Sequence, residues 1–262
     1  MKNMIIKTII ALIVPIFILS TTMQAQAEIF EKKIYQKGEN TMPYRFAKPL
    51  NYGDKSDDFY PLIIFLHGSG ERGNDNELQI SYIDTVFGKQ WFRQKYPCFV
   101  LVPQCAIDKR WVEIDWKLSE HKQPTEISEQ LQMVLEILEK ELSENRIDTN
   151  RIYVVGLSMG GFGTWDLITR YPNKFAAAIP ICGGADISTA CRLQNMSVWA
   201  FHGEKDKVVT VDGTRKMIEA LKKCGAKPLY TEYKNSGHLI WNRVFADKKV
   251  WDWLFDQKIK NN

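Results

Sequence analysis

Three separated residues in this chain suit acyl-transfer chemistry: Ser158, Asp206 and His238. Ser158 lies in Gly156-Leu157-Ser158-Met159-Gly160, a G-x-S-x-G string. The apolar run Arg151-Ile152-Tyr153-Val154-Val155 precedes it and residues of helical character follow. That order describes a sharp strand-to-helix turn that lifts a serine above the end of a sheet. The turn is strained, and side chains two positions either side of the serine would strike neighbouring backbone, which accounts for both glycines. A serine hydroxyl is a weak nucleophile until a base takes its proton. The chain has four histidines, and His238, in Asn235-Ser236-Gly237-His238, follows the last apparent strand. Between serine and histidine, after a strand at Val198 to Phe201, comes His202-Gly203-Glu204-Lys205-Asp206. Ser158 is therefore expected as nucleophile, His238 as general base and then acid, and Asp206 as the carboxylate that orients His238. Glu204 and Asp186 are rival acids, each on a loop after a strand.

Attack on an acyl carbon places negative charge on an oxygen, and two backbone N–H groups must receive it. Met159, the residue after the nucleophile, is expected to supply one. The loop His67-Gly68-Ser69-Gly70-Glu71-Arg72-Gly73 is expected to supply the other, at Ser69 with Gly68 as its neighbouring alternative. His67 and His202 precede glycines at strand ends and are expected to shape loops by hydrogen bonding. His121 lies in a polar stretch and is expected to be exposed. The glycine string at 68–70 lacks the G-K-[ST] of a phosphate loop and a ribose-binding acid. No Cys-x-x-Cys or Cys/His spacing points to zinc. No cofactor and no metal is expected.

These groups need a scaffold, and the pattern supplies one. Strand-like and helix-like segments alternate, which predicts an α/β fold with a mostly parallel central sheet and helices on both faces. Pro61 to Leu66 and Cys98 to Val102 are continuous apolar runs, as strands buried on both faces should be. Glu126 to Leu142 has helical spacing through Ile127, Leu131, Val134, Leu135, Leu138 and Leu142. Phe175 to Ile181 and Leu229 to Tyr233 read as strands, Gly160 to Arg170 and Val211 to Cys224 as helices. Phe245 to Gln257 reads as one closing helix, and residues 28–60 as one or two leading antiparallel strands. Trp111 and Trp116 sit in a polar segment between Ile107 and Thr125, where a ring either stacks on substrate or packs beneath the loop. Trp241 follows the histidine closely and is expected to wall the pocket. Trp165 is expected in the core.

The N-terminus reads differently. A short basic start, an apolar stretch from Thr8 to Ser20 and Ala25-Gln26-Ala27 form the pattern of a signal peptide cleaved near Glu28. Residues 28–262 are then one catalytic domain, exported to a periplasmic or extracellular place, with no stable membrane insertion after cleavage. Removing Lys2 and Lys7 lowers the net charge from +4 to +2, which offers nothing for nucleic acid. Five cysteines leave at least one thiol unpaired, and Cys182 with Cys191 is a possible pair across a loop.

The strings FLHGSGERGNDN (65–76), GLSMGGFGTWDL (156–167), FHGEKDKVV (201–209) and SGHLIW (236–241) resemble the α/β-hydrolase superfamily over nearly all of residues 28–262. Within it they are similar to a branch of secreted bacterial esterases and predicted peptidases, prolyl-oligopeptidase-like. That branch lies near the polyhydroxybutyrate-depolymerase-like, feruloyl and acetylxylan esterases. The resemblance implies ester hydrolysis through Ser158, Asp206 and His238. It implies a small-molecule or oligosaccharide ester as substrate, such as an acetyl or feruloyl ester of plant polysaccharide. A serine exopeptidase or amidase with the same three residues is the alternative. A non-catalytic carbohydrate-binding protein on the same fold is the third reading.

Overall fold

The computed structural model describes residues 29–53, 57–118 and 120–259. The expected signal segment, residues 1–27, lies outside them. The strands are β1 (Phe30–Lys37), β2 (Asn40–Ala47), β3 (Tyr60–Leu66), β4 (Phe99–Pro103), β5 (Ile147–Leu157), β6 (Ala177–Ile181), β7 (Ser197–Gly203) and β8 (Leu229–Tyr233). They form one sheet in the order β1-β2-β4-β3-β5-β6-β7-β8. β1 pairs with β2 and β2 with β4 antiparallel, and every later pairing is parallel. The expected leading antiparallel strands are β1 and β2.

Alternate residues of a strand point to opposite faces, and here both faces are covered. Leu62, Ile64 and Leu66 of β3 join one apolar cluster, whereas Ile63 and Phe65 join the other. The first cluster includes side chains of α2 (Glu129–Glu144), α3 (Met159–Arg170) and α4 (Val211–Lys223). The second includes side chains of α1 (Gln90–Lys95), α5 (Trp241–Ala246) and α6 (Lys248–Phe255). Leu62 to Leu66 are fully buried, and burying a side chain of this size stabilises the fold by about 1.5–3 kcal/mol. That two-sided burial is why the strand reads as an unbroken apolar run.

Local chemistry shifts several boundaries. α2 starts later than its apolar period suggests because Ser128 caps it, its Oγ accepting the Leu131 N–H at 3.1 Å. The expected closing helix is two helices, α5 and α6. Asp247 breaks it by taking an extended conformation and capping α6 through the Lys249 N–H at 3.0 Å. The suggested Cys182–Cys191 pair is corrected to Cys191–Cys224, whose Cα atoms lie 5.0 Å apart. Cys191 lies in a 3-10 segment, Ile187–Leu193, packed against α4, whose C-cap is Cys224. Cys182 instead points inward at the end of β6, and its thiol donates to the His238 carbonyl at 3.4 Å.

Candidate active site

The elbow forms where β5 gives way to α3. Ser158 has φ 53° and ψ −118°, a strained pair for a residue with a side chain. Its own N–H donates to Ile181 at 2.8 Å, which ties the turn to the end of β6. A Cβ on Gly160 would lie 1.9 Å from the Leu66 carbonyl oxygen, so only glycine lets α3 press onto the end of β3. Ser158 is held up between these strands and remains partly accessible.

His238 meets the serine from the loop after β8. Its Nε2 lies 2.8 Å from Ser158 Oγ, and its Nδ1 lies 2.6 Å from Asp206 Oδ2. A second close approach brings these loops together: a Cβ on Gly203 would lie 2.0 Å from the Gly237 carbonyl oxygen. Asp206 is fully buried at its side chain, and its Oδ1 accepts the Val208 and Val209 N–H groups at 2.8 and 3.0 Å. Burial pushes the Asp206 carboxyl up. Hydrogen bonds from His202, His238 and the Val209 amide outweigh burial and hold it well below the usual carboxylate range. Asp206 is thus an anion placed to orient the ring of His238. The rival acids serve elsewhere. Glu204 accepts the Asn235 N–H at 2.7 Å, and Asp186 accepts from Ser188 and the Gln123 N–H.

The loop after β3 faces the elbow. A Cβ on Gly68 would lie 3.7 Å from Ser158 Cβ, so this backbone runs beside Ser158. Ser69–Glu71 forms one 3-10 turn, and the Arg72 guanidinium braces it by donating to the Ser69 carbonyl at 2.9 Å. Met159 is the first residue of α3, where N–H groups lack intrahelical acceptors. His67 shapes the loop as expected. Its Nε2 accepts the Cys105 N–H at 3.0 Å, so Nδ1 carries the proton and donates to the Gly68 carbonyl at 2.6 Å. Burial pushes its pKa down to about 4, so it is neutral. Glu71 is a residue that the sequence reading passed over. Burial pushes its carboxyl up, opposed by a hydrogen bond from the Gly68 amide. That contact occupies the Gly68 amide. The only signal was an acid in a glycine-rich string.

The two candidate substrate tryptophans part company. Trp111 is fully buried, its Nε1 donating to the His67 carbonyl at 3.0 Å. The choice between stacking and packing is thereby corrected to packing, since no face of the ring is open. Trp165 is buried in the core. Trp241 stands edge-on to His238, ring centroids 5.4 Å apart, and Tyr82 stands edge-on to Trp241 at 5.6 Å. Tyr82, half-buried between two 3-10 turns, was missed because nothing local marks it. His121 is half-buried against Phe162, not exposed, and burial lowers its pKa.

Known proteins of similar sequence and structure include esterases. A thermostable esterase of known structure superposes with a TM-score of 0.82 at 36% identity, over 89% of this chain and 64% of that one. A bifunctional acetylxylan esterase/xylanase of Neocallimastix patriciarum is 35% identical over 79 residues, 30% of this chain and 12% of that one. A poly(3-hydroxyalkanoate) depolymerase C of Paucimonas lemoignei is 48% identical over 42 residues, 16% of this chain and 10% of that one. The chain thus spans less than two thirds of the length of each. Residues 54–251 match the model of the phospholipase/carboxylesterase family, most of the chain. Family match, sheet order and elbow agree: this chain is an α/β-hydrolase that belongs to the phospholipase/carboxylesterase family.

Proposed function

We propose that this protein is an exported serine carboxylesterase, residues 28–262 forming one catalytic domain. The observation that carries the reading is the relay from Ser158 Oγ through His238 to Asp206, 2.8 and 2.6 Å at its two steps. In this reading the Ser158 oxygen bonds to the acyl carbon as His238 Nε2 takes the hydroxyl proton. The Met159 and Ser69 N–H groups receive the oxyanion. His238 then protonates the alcohol, which leaves, and the acyl-enzyme remains. Water, deprotonated by the same nitrogen, attacks the acyl carbon. The acid departs and the proton returns to Ser158.

Acetyl or feruloyl esters of plant polysaccharide are the proposed substrates. The motif resemblance supports this class, as does the acetylxylan esterase named among the relatives. Trp241, buried but for 5% of its surface, is the proposed aromatic contact beside the base. Export is supported by the signal-like start and by a disulfide, which persists in oxidising compartments. Among the described residues no helix is long and apolar enough to cross a membrane.

A fluorophosphonate probe is expected to label wild type and not Ser158→Ala. Hydrolysis of p-nitrophenyl acetate is expected to outpace that of a peptide p-nitroanilide, and a panel of short-chain and feruloyl esters ranks the acyl groups. Faster anilide cleavage would replace the esterase reading by the peptidase one. Mass spectrometry of exported protein starting at Glu28 tests the cleavage site.

A further inference from the structure

His202 was expected only to shape its loop, yet it faces the same carboxylate oxygen as His238. Its Nε2 lies 3.2 Å from Asp206 Oδ2 and 3.0 Å from the Val209 carbonyl oxygen. Its Nδ1 lies 2.8 Å from Thr214 Oγ1 on α4. Both the His202 and Asp206 side chains are fully buried.

The donors can be counted. Thr214 has one hydroxyl proton and gives it to the Gly183 carbonyl at 2.8 Å. The threonine oxygen must then accept from His202 Nδ1–H. Nε2 faces only acceptors, a carbonyl and a carboxylate, so it too must donate. An imidazole donates at both nitrogens only as the cation. The other charged or titratable neighbours do not change this count. Glu232, paired with His202 across β7 and β8, is held by the Arg215 guanidinium at 2.6 and 2.9 Å. The Cys182 thiol, within 4.8 Å of the His202 and Asp206 ligand atoms, gives its proton to the His238 carbonyl. Asp206 is the carboxylate in contact with His202.

We propose that His202 is a positioning residue of the active site, a buried imidazolium that clamps Asp206 at the same oxygen that His238 meets. The proposal rests on the reading of Ser158, His238 and Asp206 as the catalytic relay. Oδ2 is then held by two rings and Oδ1 by the Val208 and Val209 N–H groups, so Asp206 has no freedom to turn away from His238. The cation has a second effect. Positive charge beside Asp206 opposes a second positive charge on His238, and its removal should show in the acid limb of the pH–rate profile.

Two measurements test this. The first is nitrogen NMR of histidine-labelled wild type near neutral pH, with His202 assigned by its loss in His202→Gln. Protons on both nitrogens are expected; one bare nitrogen would overturn the proposal. This needs no turnover, so it stands apart from any failure of the esterase reading. The second is the pH profile of p-nitrophenyl acetate hydrolysis. His202→Gln keeps a neutral donor but no charge, so the acid limb of kcat/KM should move to higher pH by about one unit. His202→Leu removes the donor, and kcat should fall about 100-fold while KM stays within about twofold. A folded Leu variant with wild-type kcat, or a Gln variant with an unmoved acid limb, would overturn the role. If the Leu variant does not fold, the Gln profile and the wild-type spectrum decide.

Discussion

The elbow at residues 156–160 and the segment at residues 104–128 meet where Trp111 packs against Gly163 of α3, but they hold their shapes in opposite ways. The elbow is held by backbone: β5 enters it, α3 leaves it, and carbonyls of β3 and β6 close on it within contact distance. The described residues of 104–127 have neither helix nor strand. Backbone bonds anchor its start, Gln104 N–H to Pro43 at 2.8 Å and Gly73 N–H to Cys105 at 2.9 Å, and beyond them that segment is held mainly by side chains. Trp111, Val112 and Ile114 are buried, Arg110 donates to the Ile114 carbonyl at 2.6 Å, and Ser128 Oγ donates to the Trp111 carbonyl at 2.6 Å. Backbone-held geometry leaves a trace in local sequence, because it demands glycine at set positions. Side-chain-held geometry leaves almost none.

The sharpest contrast comes from mutating one residue on each side. Ser158→Ala should lower kcat for p-nitrophenyl acetate by about 10⁵-fold or more without altering the denaturation curve. Residual activity above about a tenth of wild type would break the elbow's part of the comparison. Asp206→Asn should follow, lowering kcat by about 10⁴-fold, since an amide stabilises the wrong tautomer of the histidine. Trp111→Ala should do the reverse. It should cost about 3–5 kcal/mol in urea unfolding, with KM nearly unchanged in whatever fraction folds. A raised KM with stability intact would return Trp111 to the substrate and erase the distinction.

His67 joins the segment at 104–128 to the loop facing the elbow, since its ring meets the Trp111 ring at 5.1 Å and its Nδ1–H holds the Gly68 carbonyl. Burial lowers its pKa from 6.5 to about 4, so it stays neutral where the unfolded chain would protonate. The unfolded state binds more protons in that window, so stability rises with pH across it. His67 should therefore remove about 3 kcal/mol of stability as pH falls from 6.5 to 4. Urea titrations of wild type against His67→Gln should show the difference as a flatter pH dependence in the variant. The smallest effect belongs to Trp241→Ala. It should raise KM for aromatic esters by about three- to tenfold and leave kcat for acetyl esters within about twofold. An equal change for both substrates would place Trp241 in the support of His238.

Legibility follows the same division. The strand–turn–helix around Ser158 and the order Ser158, Asp206, His238 were readable because periodicity and loop glycines are local properties. The apolar runs of β3 and β4 were readable because burial on both faces removes every polar alternative. Trp111 was not, since a tryptophan in a polar stretch has the same local sequence whether it lies above or below its loop. Glu71, Tyr82 and His202 were not, because each takes its role from a partner on another segment: the Gly68 amide, Trp241, and Asp206. The disulfide partner of Cys191 depended on α4 packing beside the 3-10 segment, and no spacing rule contains that.

By itself the sequence determined an α/β sheet with an elbow at Ser158 and with Asp206 and His238 on later loops. Strand period, helix period and glycine placement are imposed within a few residues of chain. Tertiary structure alone decided that Gly203 touches Gly237, that His202 faces Asp206, and that Trp241 rather than Trp111 stands beside His238. Those contacts join residues far apart in the chain, and side-chain packing and hydrogen bonding choose among partners only when the layers close.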